Sequence, residues 1–254
     1  MKIKIDGLEL HYSCEGTGKN ILLLHGWGGS IQSFLPVFNH LKQHFKVYVL
    51  DFPGFGESQQ PENVWGVFDY AGMTKKFIDS MGMDEVILIG HSFGGRISIV
   101  LANRYPELIK QMVLVDSAGI IPKRTLKYYG KVYSFKTLKF LYRHIFFWMP
   151  EEKKMERFYK KFGSKDYQDA GNMRRILVKV VNEDLRDLLK GIKASTLLIW
   201  GREDEATPVY MGEIMKNEIK DSGLVVLENA GHFSYLDQFR TFIKIVDKFL
   251  EGRE

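Results

Sequence analysis

Cysteine and long apolar runs are nearly absent from this chain of 254 residues. Its one cysteine, Cys14, excludes an internal disulfide and any cysteine-rich metal module. No apolar run approaches the roughly 20 residues that span a bilayer. Residues 1–6 alternate charged side chains with isoleucine instead of forming the apolar core of a signal peptide. These absences predict a soluble, cytoplasmic protein with no stable membrane insertion.

The signatures of cofactor and metal sites are also missing. Gly26–Gly29 follows an apolar run, as the glycines of a dinucleotide-binding turn do. The third glycine of that pattern would fall on Ile31, whose bulky side chain prevents close packing of the helix. The sequence has no Gly-Lys-Ser/Thr phosphate loop, no His-Glu-x-x-His pair and no paired cysteine and histidine ligands. We therefore expect neither a cofactor nor a metal ion.

Short apolar runs alternate with helix-type patterns along most of the chain. Six runs from residue 21 onward are nearly all apolar, which is typical of parallel strands covered by helices on both faces. Leu8–Tyr12 alternates instead, and with Ile3–Ile5 it flanks Asp6-Gly7, a hairpin signal. The pattern predicts an α/β fold with a mostly parallel, doubly wound sheet. The six apolar runs are Ile21–Leu24, Val47–Leu50, Val86–Ile89, Met112–Val115, Thr196–Trp200 and Leu224–Leu227.

Charge divides the chain into two compositionally different parts. From Lys123 to Lys193 there are 19 Lys and Arg against 8 Asp and Glu, a local charge of +11. The rest of the chain carries −6, within a total of +5. This asymmetry marks Lys123–Lys193 as a separate insert between two strands of the predicted sheet.

The clearest chemical signal is a serine between a predicted strand and a predicted helix. The apolar run Val86–Ile89 leads into Gly-His-Ser-Phe-Gly at residues 90–94, and a helical pattern follows. In such a tight turn the central serine takes strained backbone angles, and the flanking glycines avoid collisions. The hydroxyl is thereby lifted out at the carboxyl edge of the sheet. This context predicts that Ser92 is a nucleophile, whereas a Gly-flanked serine elsewhere would be an ordinary turn residue.

A serine nucleophile needs a base, and the base needs a carboxylate. His232 lies in a loop of small residues directly after the last predicted strand, which favours it as the base. The preceding strand ends in an acidic loop, and Asp204 at the tip of this loop is the best candidate for the carboxylate. Asp116, at the end of the strand before that, is the competing candidate.

Ser92, Asp204 and His232 follow one another in the chain order of the α/β-hydrolases. Further motifs are Leu24–Gly29, Asp51–Ser58, Trp200–Asp204 with Pro208, and Gly231–Phe233. With these motifs the sequence resembles the α/β-hydrolase superfamily over nearly the whole chain, and in particular its capped bacterial branch of esterases and C–C bond hydrolases. The resemblance implies an eight-stranded sheet, and it makes Ser92 the nucleophile, Asp204 the acid and His232 the base. It also implies an oxyanion hole formed by the backbone N–H groups of Trp27 and Phe93.

The branch that the sequence resembles carries a helical cap after strand 6, where the basic insert lies. The resemblance therefore implies a hydrolase core of residues 1–119 and 194–254 and a cap of residues 120–193. Residues 123–148 combine seven Lys and Arg with nine aromatic residues and no acid. Three interpretations stay open: the aromatic side chains pack on the substrate pocket, the bases steer anionic substrates, or the segment adsorbs to an anionic lipid surface. No nucleic-acid recognition fold accompanies the charge, so no nucleic-acid partner is expected.

With the resemblance, these residues predict a cofactor-free serine hydrolase of the carboxylesterase type, which cleaves a small-to-medium carboxylic ester through an acyl-enzyme. The expected partner is a small-molecule acyl substrate, whose charge stays open, as does the oligomeric state. One alternative is a C–C bond hydrolase of meta-cleavage-type diketones. Phe233 disfavours it, because that branch tends to place a tryptophan after the histidine. The other alternative is a ligand-sensing hydrolase fold with little turnover.

Overall fold

An eight-stranded β-sheet forms the centre of the computed structural model, which describes residues 1–122, 126–162 and 170–252. Its strands are β1 (Lys2–Ile5), β2 (Leu8–Glu15), β3 (Asn20–Leu24), β4 (Lys46–Leu50), β5 (Val86–His91), β6 (Ile109–Val115), β7 (Ser195–Gly201) and β8 (Ser222–Leu227). Across the sheet they follow the order β1-β2-β4-β3-β5-β6-β7-β8. Within these ranges β2 pairs antiparallel with β1 and β4, and the other pairs are parallel. The predicted eight-stranded, mostly parallel sheet is confirmed.

Helices cover both faces of this sheet. In the described ranges they are α1 (Leu35–Leu41), α2 (Val67–Ser80), α3 (Phe93–Arg104), α4 (Leu126–Ile145), α5 (Glu151–Phe162), α6 (Arg174–Asn182), α7 (Arg186–Leu189), α8 (Val209–Glu218), α9 (Ser234–Asp237) and α10 (Phe239–Glu251). Leu22 and Leu24 of β3 belong to one buried cluster with α2 and α3, whereas Ile21 and Leu23 belong to a second with α1 and α10. Because successive strand residues point to opposite faces, burial of both faces explains the nearly all-apolar runs.

Four of these helices, α4 to α7, lie between β6 and β7, in the predicted insert. α4 packs on α5 around Phe158, whose ring centroid is 5.2 Å from that of Phe135 and 5.4 Å from that of Tyr142. α6 instead packs on the core, since Ile176 and Val180 belong to the apolar cluster that contains α2 and α3. The insert is therefore helical where the structure describes it.

The division into a core of residues 1–119 and 194–254 and a cap of residues 120–193 stays a prediction. Lys123 and Arg124 of the basic segment lie outside the described residues, and so do the side chains of Lys127 and Lys131. Across the ranges that the structure describes, no helix has both the length and the apolar character needed to cross a membrane.

Candidate active site

Ser92 occupies the turn between β5 and α3. Its backbone angles, φ 49° and ψ −105°, are strained for a residue with a side chain. The two neighbouring glycines allow the turn, since a Cβ at Gly94 would overlap the Leu24 carbonyl oxygen and a Cβ at Gly90 would overlap Gly94 itself. Strand, turn and helix follow in the predicted order at this serine.

Two hydrogen bonds connect Ser92, His232 and Asp204. Ser92 Oγ lies 3.0 Å from His232 Nε2, and Nδ1 of the same imidazole lies 2.9 Å from Asp204 Oδ2. The three residues follow the carboxyl ends of β5, β8 and β7, so the parallel strands bring them to one edge of the sheet. The Asp204 side chain is fully buried, whereas the imidazole is 24% exposed. The residues that the sequence pattern selected thus form one line of contacts from a buried carboxylate to an accessible hydroxyl.

The carboxylate of Asp204 is held by its own loop. Its Oδ1 accepts hydrogen bonds from the backbone N–H groups of Ala206 and Thr207 at 2.8 and 2.9 Å, and the Thr207 hydroxyl donates to Oδ2 at 2.6 Å. Burial raises the pKa of the Asp204 carboxyl, but the hydrogen bonds from His232 and Thr207 outweigh burial and hold this pKa below its ordinary value. Asp204 is therefore ionised at neutral pH.

The competing acid, Asp116, binds elsewhere. Its Oδ1 accepts from the backbone N–H of Gly201 at 2.8 Å, and its Oδ2 accepts from the N–H and the hydroxyl of Ser234 at 3.1 and 2.6 Å. Burial raises the pKa of the Asp116 carboxyl to about 7. Asp116 therefore joins the loop that carries Asp204 to the loop that carries His232, while Asp204 is the carboxylate at His232 Nδ1.

Two buried histidines support the loops around Ser92. His91 Nε2 lies 2.7 Å from the carbonyl oxygen of His232, so this nitrogen carries the proton and donates. His25 donates from Nδ1 to the Gly26 carbonyl oxygen at 2.7 Å, and its Nε2 accepts from the N–H of Phe52 at 3.1 Å. Burial lowers the pKa of His91 to about 3 and that of His25 to about 4, so both are neutral in the folded protein.

Trp27 and Phe93, which the resemblance assigns to the oxyanion hole, line the same cavity as Ser92. Phe93 is the first residue of α3, so its backbone N–H has no acceptor within the helix. Trp27 precedes Gly28, whose φ of 74° turns the loop. The Trp27 and Phe93 rings pack edge to face with their centroids 5.5 Å apart. Both residues therefore lie at the wall of the cavity that Ser92 also lines.

The cavity above Ser92 has a volume of about 410 Å³. Leu177, Val180 and Val181 of α6 line it, together with Met211 of α8. No described side chain of α4 lines this cavity. The interpretation that the aromatic side chains of residues 123–148 pack on the pocket is therefore wrong for the described ones. Phe135 and Tyr142 of α4 pack against α5, and Tyr129, Tyr133 and Phe140 are exposed, while α6 lies next to the pocket.

The sequence interpretation missed two polar residues of this site, Thr207 and Arg96. Thr207 fixes the Asp204 carboxylate, and the available signal was a hydroxyl three residues after an aspartate, directly before Pro208. Arg96 lines the cavity one helical turn after Ser92, and the available signal was that four-residue spacing.

Comparison with known proteins shows which family the chain belongs to. The sequence profile of the family described as alpha/beta hydrolase fold matches residues 19–239. A 2-hydroxy-6-oxo-2,4-heptadienoate hydrolase of Pseudomonas putida is 26% identical over 266 residues, which cover 98% of this chain and 95% of that protein. Among solved structures, a bacterial membrane phospholipase A has a TM-score of 0.79 and 25% identity, covering 99% of this chain and 85% of that one. A meta-cleavage product hydrolase of Pseudomonas fluorescens has a TM-score of 0.76 and 21% identity, covering 100% of this chain and 98% of that one. Because the family profile covers most of its length, this chain belongs to the α/β-hydrolase family.

Proposed function

We propose that the protein is a cofactor-free serine hydrolase that cleaves a small-to-medium carboxylic ester. The observation that carries this proposal is the pair of contacts that joins Ser92 Oγ to His232 Nε2 at 3.0 Å and His232 Nδ1 to Asp204 Oδ2 at 2.9 Å. Membership in a hydrolase family supports an enzyme, and the cavity of about 410 Å³ beside Ser92 suits a small acyl group.

The reaction begins with attack of Ser92 Oγ on the ester carbonyl carbon while its proton passes to His232 Nε2. The carbonyl oxygen becomes an oxyanion and accepts hydrogen bonds from the backbone N–H groups of Trp27 and Phe93. When the tetrahedral intermediate collapses, the bond to the alkoxy oxygen breaks, and His232 gives its proton to the departing alcohol. A water molecule then attacks the acyl-enzyme with His232 as base, and the free acid leaves.

Asp204 supports both halves of this cycle. Its ionised carboxylate holds the proton on Nδ1 of His232, so that Nε2 is the free base facing Ser92. The same negative charge stabilises the imidazolium that forms after each proton transfer. The loop hydrogen bonds that keep the Asp204 pKa low therefore serve catalysis directly.

C–C bond hydrolysis is the second candidate, because the Pseudomonas putida relative is named for a dienoate hydrolase and aligns over 98% of this chain. Against it, Phe233 follows His232 where the C–C hydrolase branch tends to have a tryptophan. The third candidate, a ligand-sensing fold with little turnover, does not need the aligned triad.

Hydrolysis of aryl esters by wild type and Ser92→Ala tests the proposal. We expect kcat to fall by about 10⁶ in Ser92→Ala, because the nucleophile is lost. Ser80→Ala, which removes a hydroxyl on the exposed side of α2, is the matched control and keeps full activity. Residual activity of Ser92→Ala above about 1% of wild type contradicts the assignment. If the enzyme cleaves a vinylogous 1,5-diketone faster than any ester, C–C bond hydrolysis is favoured. If a fluorophosphonate labels Ser92 but neither substrate is turned over, a ligand-sensing role is favoured.

A further inference from the structure

The cavity above Ser92 contains a buried positive charge. Among the described residues that line it, Arg96 and His232 are the only basic ones, and there is no Asp or Glu. Arg96 is 5% exposed and lies in the first turns of α3, four residues after Ser92. Arg96 and Ser92 both line this cavity, so the charge and the hydroxyl border the same space.

Arg96 forms no ion pair with a carboxylate in the part of the chain that the structure describes. Its Nη1 donates to a neutral acceptor, the carbonyl oxygen of Glu183, at 2.7 Å. The carboxylates of Glu183 and Asp184 are close enough to raise the pKa of Arg96, but each of them accepts a hydrogen bond from another residue. The Glu183 carboxylate accepts from the N–H of Val67 at the start of α2 at 2.6 Å, and Asp184 accepts from the N–H of Arg186 at 3.2 Å.

Such a buried cation is costly to the protein without an anionic partner. Buried charges in proteins are normally paired, and the guanidinium group presents five N–H donors in a fork that matches a carboxylate. Burial lowers the pKa of Arg96 to about 10, so the side chain is nevertheless charged at neutral pH. The neutral Glu183 carbonyl accepts one of the five donors and supplies no negative charge.

We propose that Arg96 binds a carboxylate on the acyl part of the substrate. The substrate class is then the half-ester of a short dicarboxylic acid, with its carboxylate on Arg96 and its ester carbonyl on Ser92. Both residues line one cavity of about 410 Å³, which limits the acyl part to a short chain. This inference rests on the proposed ester hydrolysis for its reaction, although the carboxylate site itself does not.

A pair of esters that differ only in charge tests the proposal. The p-nitrophenyl half-ester of glutaric acid is compared with p-nitrophenyl valerate, which has a similar chain without the carboxylate. We expect wild type to prefer the charged ester, and Arg96→Gln to lower kcat/KM for it about 10- to 100-fold. The same substitution changes kcat/KM for valerate less than about threefold. Arg104→Gln, at the exposed end of the same helix, is the matched control and changes neither value.

Calorimetric titration with free glutarate separates the carboxylate site from the reaction. Wild type and Ser92→Ala are expected to bind glutarate equally, and Arg96→Gln at least about tenfold more weakly. Binding without cleavage of either ester supports the carboxylate site and contradicts ester hydrolysis. The inference is overturned if wild type cleaves both esters without preferring the charged one, or if Arg96→Gln lowers kcat/KM equally for both. Arg96 would then be only a structural contact with Glu183. If Arg96→Gln does not fold, Arg96→Lys replaces it, because lysine keeps the positive charge but lacks the forked guanidinium group. The proposal then requires that kcat/KM falls for the charged ester and not for valerate.

A separate observation concerns the outer surface of α4. Leu126, Tyr133 and Phe140 recur every seven residues and therefore share one side of the helix, where they are 91%, 63% and 60% exposed. Phe147 and Trp148, directly after the helix, are 79% and 65% exposed. Of the 16 exposed large apolar residues in the described ranges, nine lie between residues 126 and 148. The helix α5 covers the opposite side of α4, around Phe158.

The bases of α4 determine which partner fits this surface. Lys136 and Arg143 are exposed in the row next to the apolar side chains, and residues 123–150 contain no acid. Arg143 is paired with Glu151 of α5 at 2.9 Å, so Lys136 is the base of this row that carries the argument. A second copy of the chain on a twofold axis would bring these bases together, which is unfavourable. An anionic lipid surface instead accepts apolar side chains at the level of its headgroups and attracts the bases beside them. We infer that α4 docks on anionic lipid.

Sedimentation with lipid vesicles tests this second inference. Wild type is expected to bind vesicles that contain phosphatidylglycerol, to bind pure phosphatidylcholine weakly, and to lose binding as salt rises. The double variant Tyr133→Ser, Phe140→Ser loses about tenfold or more in partitioning, because two apolar side chains no longer leave water. Leu35→Ser, an exposed apolar residue on α1, is the matched control. Equal binding to both vesicle types overturns the inference, as does a concentration-dependent dimer that the double variant abolishes.

Discussion

Asp116 accepts two hydrogen bonds from Ser234, one from its backbone N–H at 3.1 Å and one from its hydroxyl at 2.6 Å. The same carboxylate accepts a third bond from Gly201, which ends β7. His232 lies two residues before Ser234, and Asp204 lies three residues after Gly201. The buried carboxylate of Asp116 therefore sets the spacing between the loop of His232 and the loop of Asp204.

Asp116→Asn is expected to destabilise the protein by about 1–3 kcal/mol, because the asparagine NH₂ must face at least one of the N–H donors. Activity falls about 10- to 100-fold as the imidazole is displaced. An ordinary aspartate has a pKa of 3.8 and the buried Asp116 one of about 7, so the folded protein binds an extra proton between these values. The stability contribution of Asp116 thus falls as the pH rises from about 4 to about 7.

Urea unfolding at pH 5 and pH 8 measures this effect. The deficit of Asp116→Asn relative to wild type should be larger at pH 5, because only wild type gains from the protonated carboxyl. Ser234→Ala is the control, since it removes one donor and keeps the carboxyl. A deficit that is the same at both pH values would contradict a raised pKa.

Asp204→Asn should lower kcat by about 10³–10⁴, because an amide no longer holds the required tautomer of His232. Glu203→Gln and Glu205→Gln, on either side in the same loop, change kcat less than about tenfold and serve as matched controls. Steady-state ester hydrolysis measures all three. If kcat fell more in Asp116→Asn than in Asp204→Asn, the role of the acid would instead belong to Asp116 at the end of β6.

Thr207→Val should weaken catalysis through the acid, because it removes the hydroxyl that donates to Asp204 Oδ2 at 2.6 Å. Without this bond the Asp204 pKa rises toward its ordinary value, and the low-pH limb of kcat/KM moves. We expect kcat to fall about tenfold, which corresponds to about 1.4 kcal/mol. Thr207→Ser keeps the hydroxyl and should restore both the rate and the pH profile, whereas a purely steric role would leave the profile of Thr207→Val unmoved.

Mild acid should destabilise the protein through its two buried histidines. His25 and His91 have pKa values of about 4 and about 3 when folded and 6.5 when exposed, so the unfolded chain binds more protons below pH 6.5. Stability is therefore lost as the pH falls from 6.5 toward 4. Urea unfolding between pH 7 and pH 5 measures how the free energy of unfolding changes with pH. His91→Gln should reduce the number of protons taken up on unfolding by about one. His144→Gln, at an exposed position of α4, should leave it unchanged.

The local parts of this fold could be predicted well from the sequence. The run Ile21–Leu24 corresponds to β3 (Asn20–Leu24), and Val86–Ile89 to β5 (Val86–His91), because burial of both strand faces requires continuous apolar residues. The positions of Ser92, Asp204 and His232 at strand ends were predictable for the same reason. The order Ser92, Asp204, His232 along the chain then supported Asp204 and His232 as the residues paired with Ser92.

Contacts between distant segments were not predictable. The role of Asp116 depends on Ser234, 118 residues away, and that of Arg96 on Glu183, 87 residues away. Contacts between residues so far apart along the chain produce no periodic pattern in the sequence. The aromatic residues of α4 show the same limit, because composition alone does not indicate whether α4 or α6 lies over the pocket.

The cavity wall formed by α6 has an evolutionary consequence. Leu177, Val180 and Val181 come from a stretch of chain that supplies none of the three triad residues. A substitution in this helix can therefore change which molecule fits the cavity without moving Ser92, Asp204 or His232. Selection for a new substrate can act on α6 one position at a time while each intermediate retains the contacts among Ser92, His232 and Asp204. Descendants of one such gene are then expected to differ most in the substrates they accept and least in the reaction they perform.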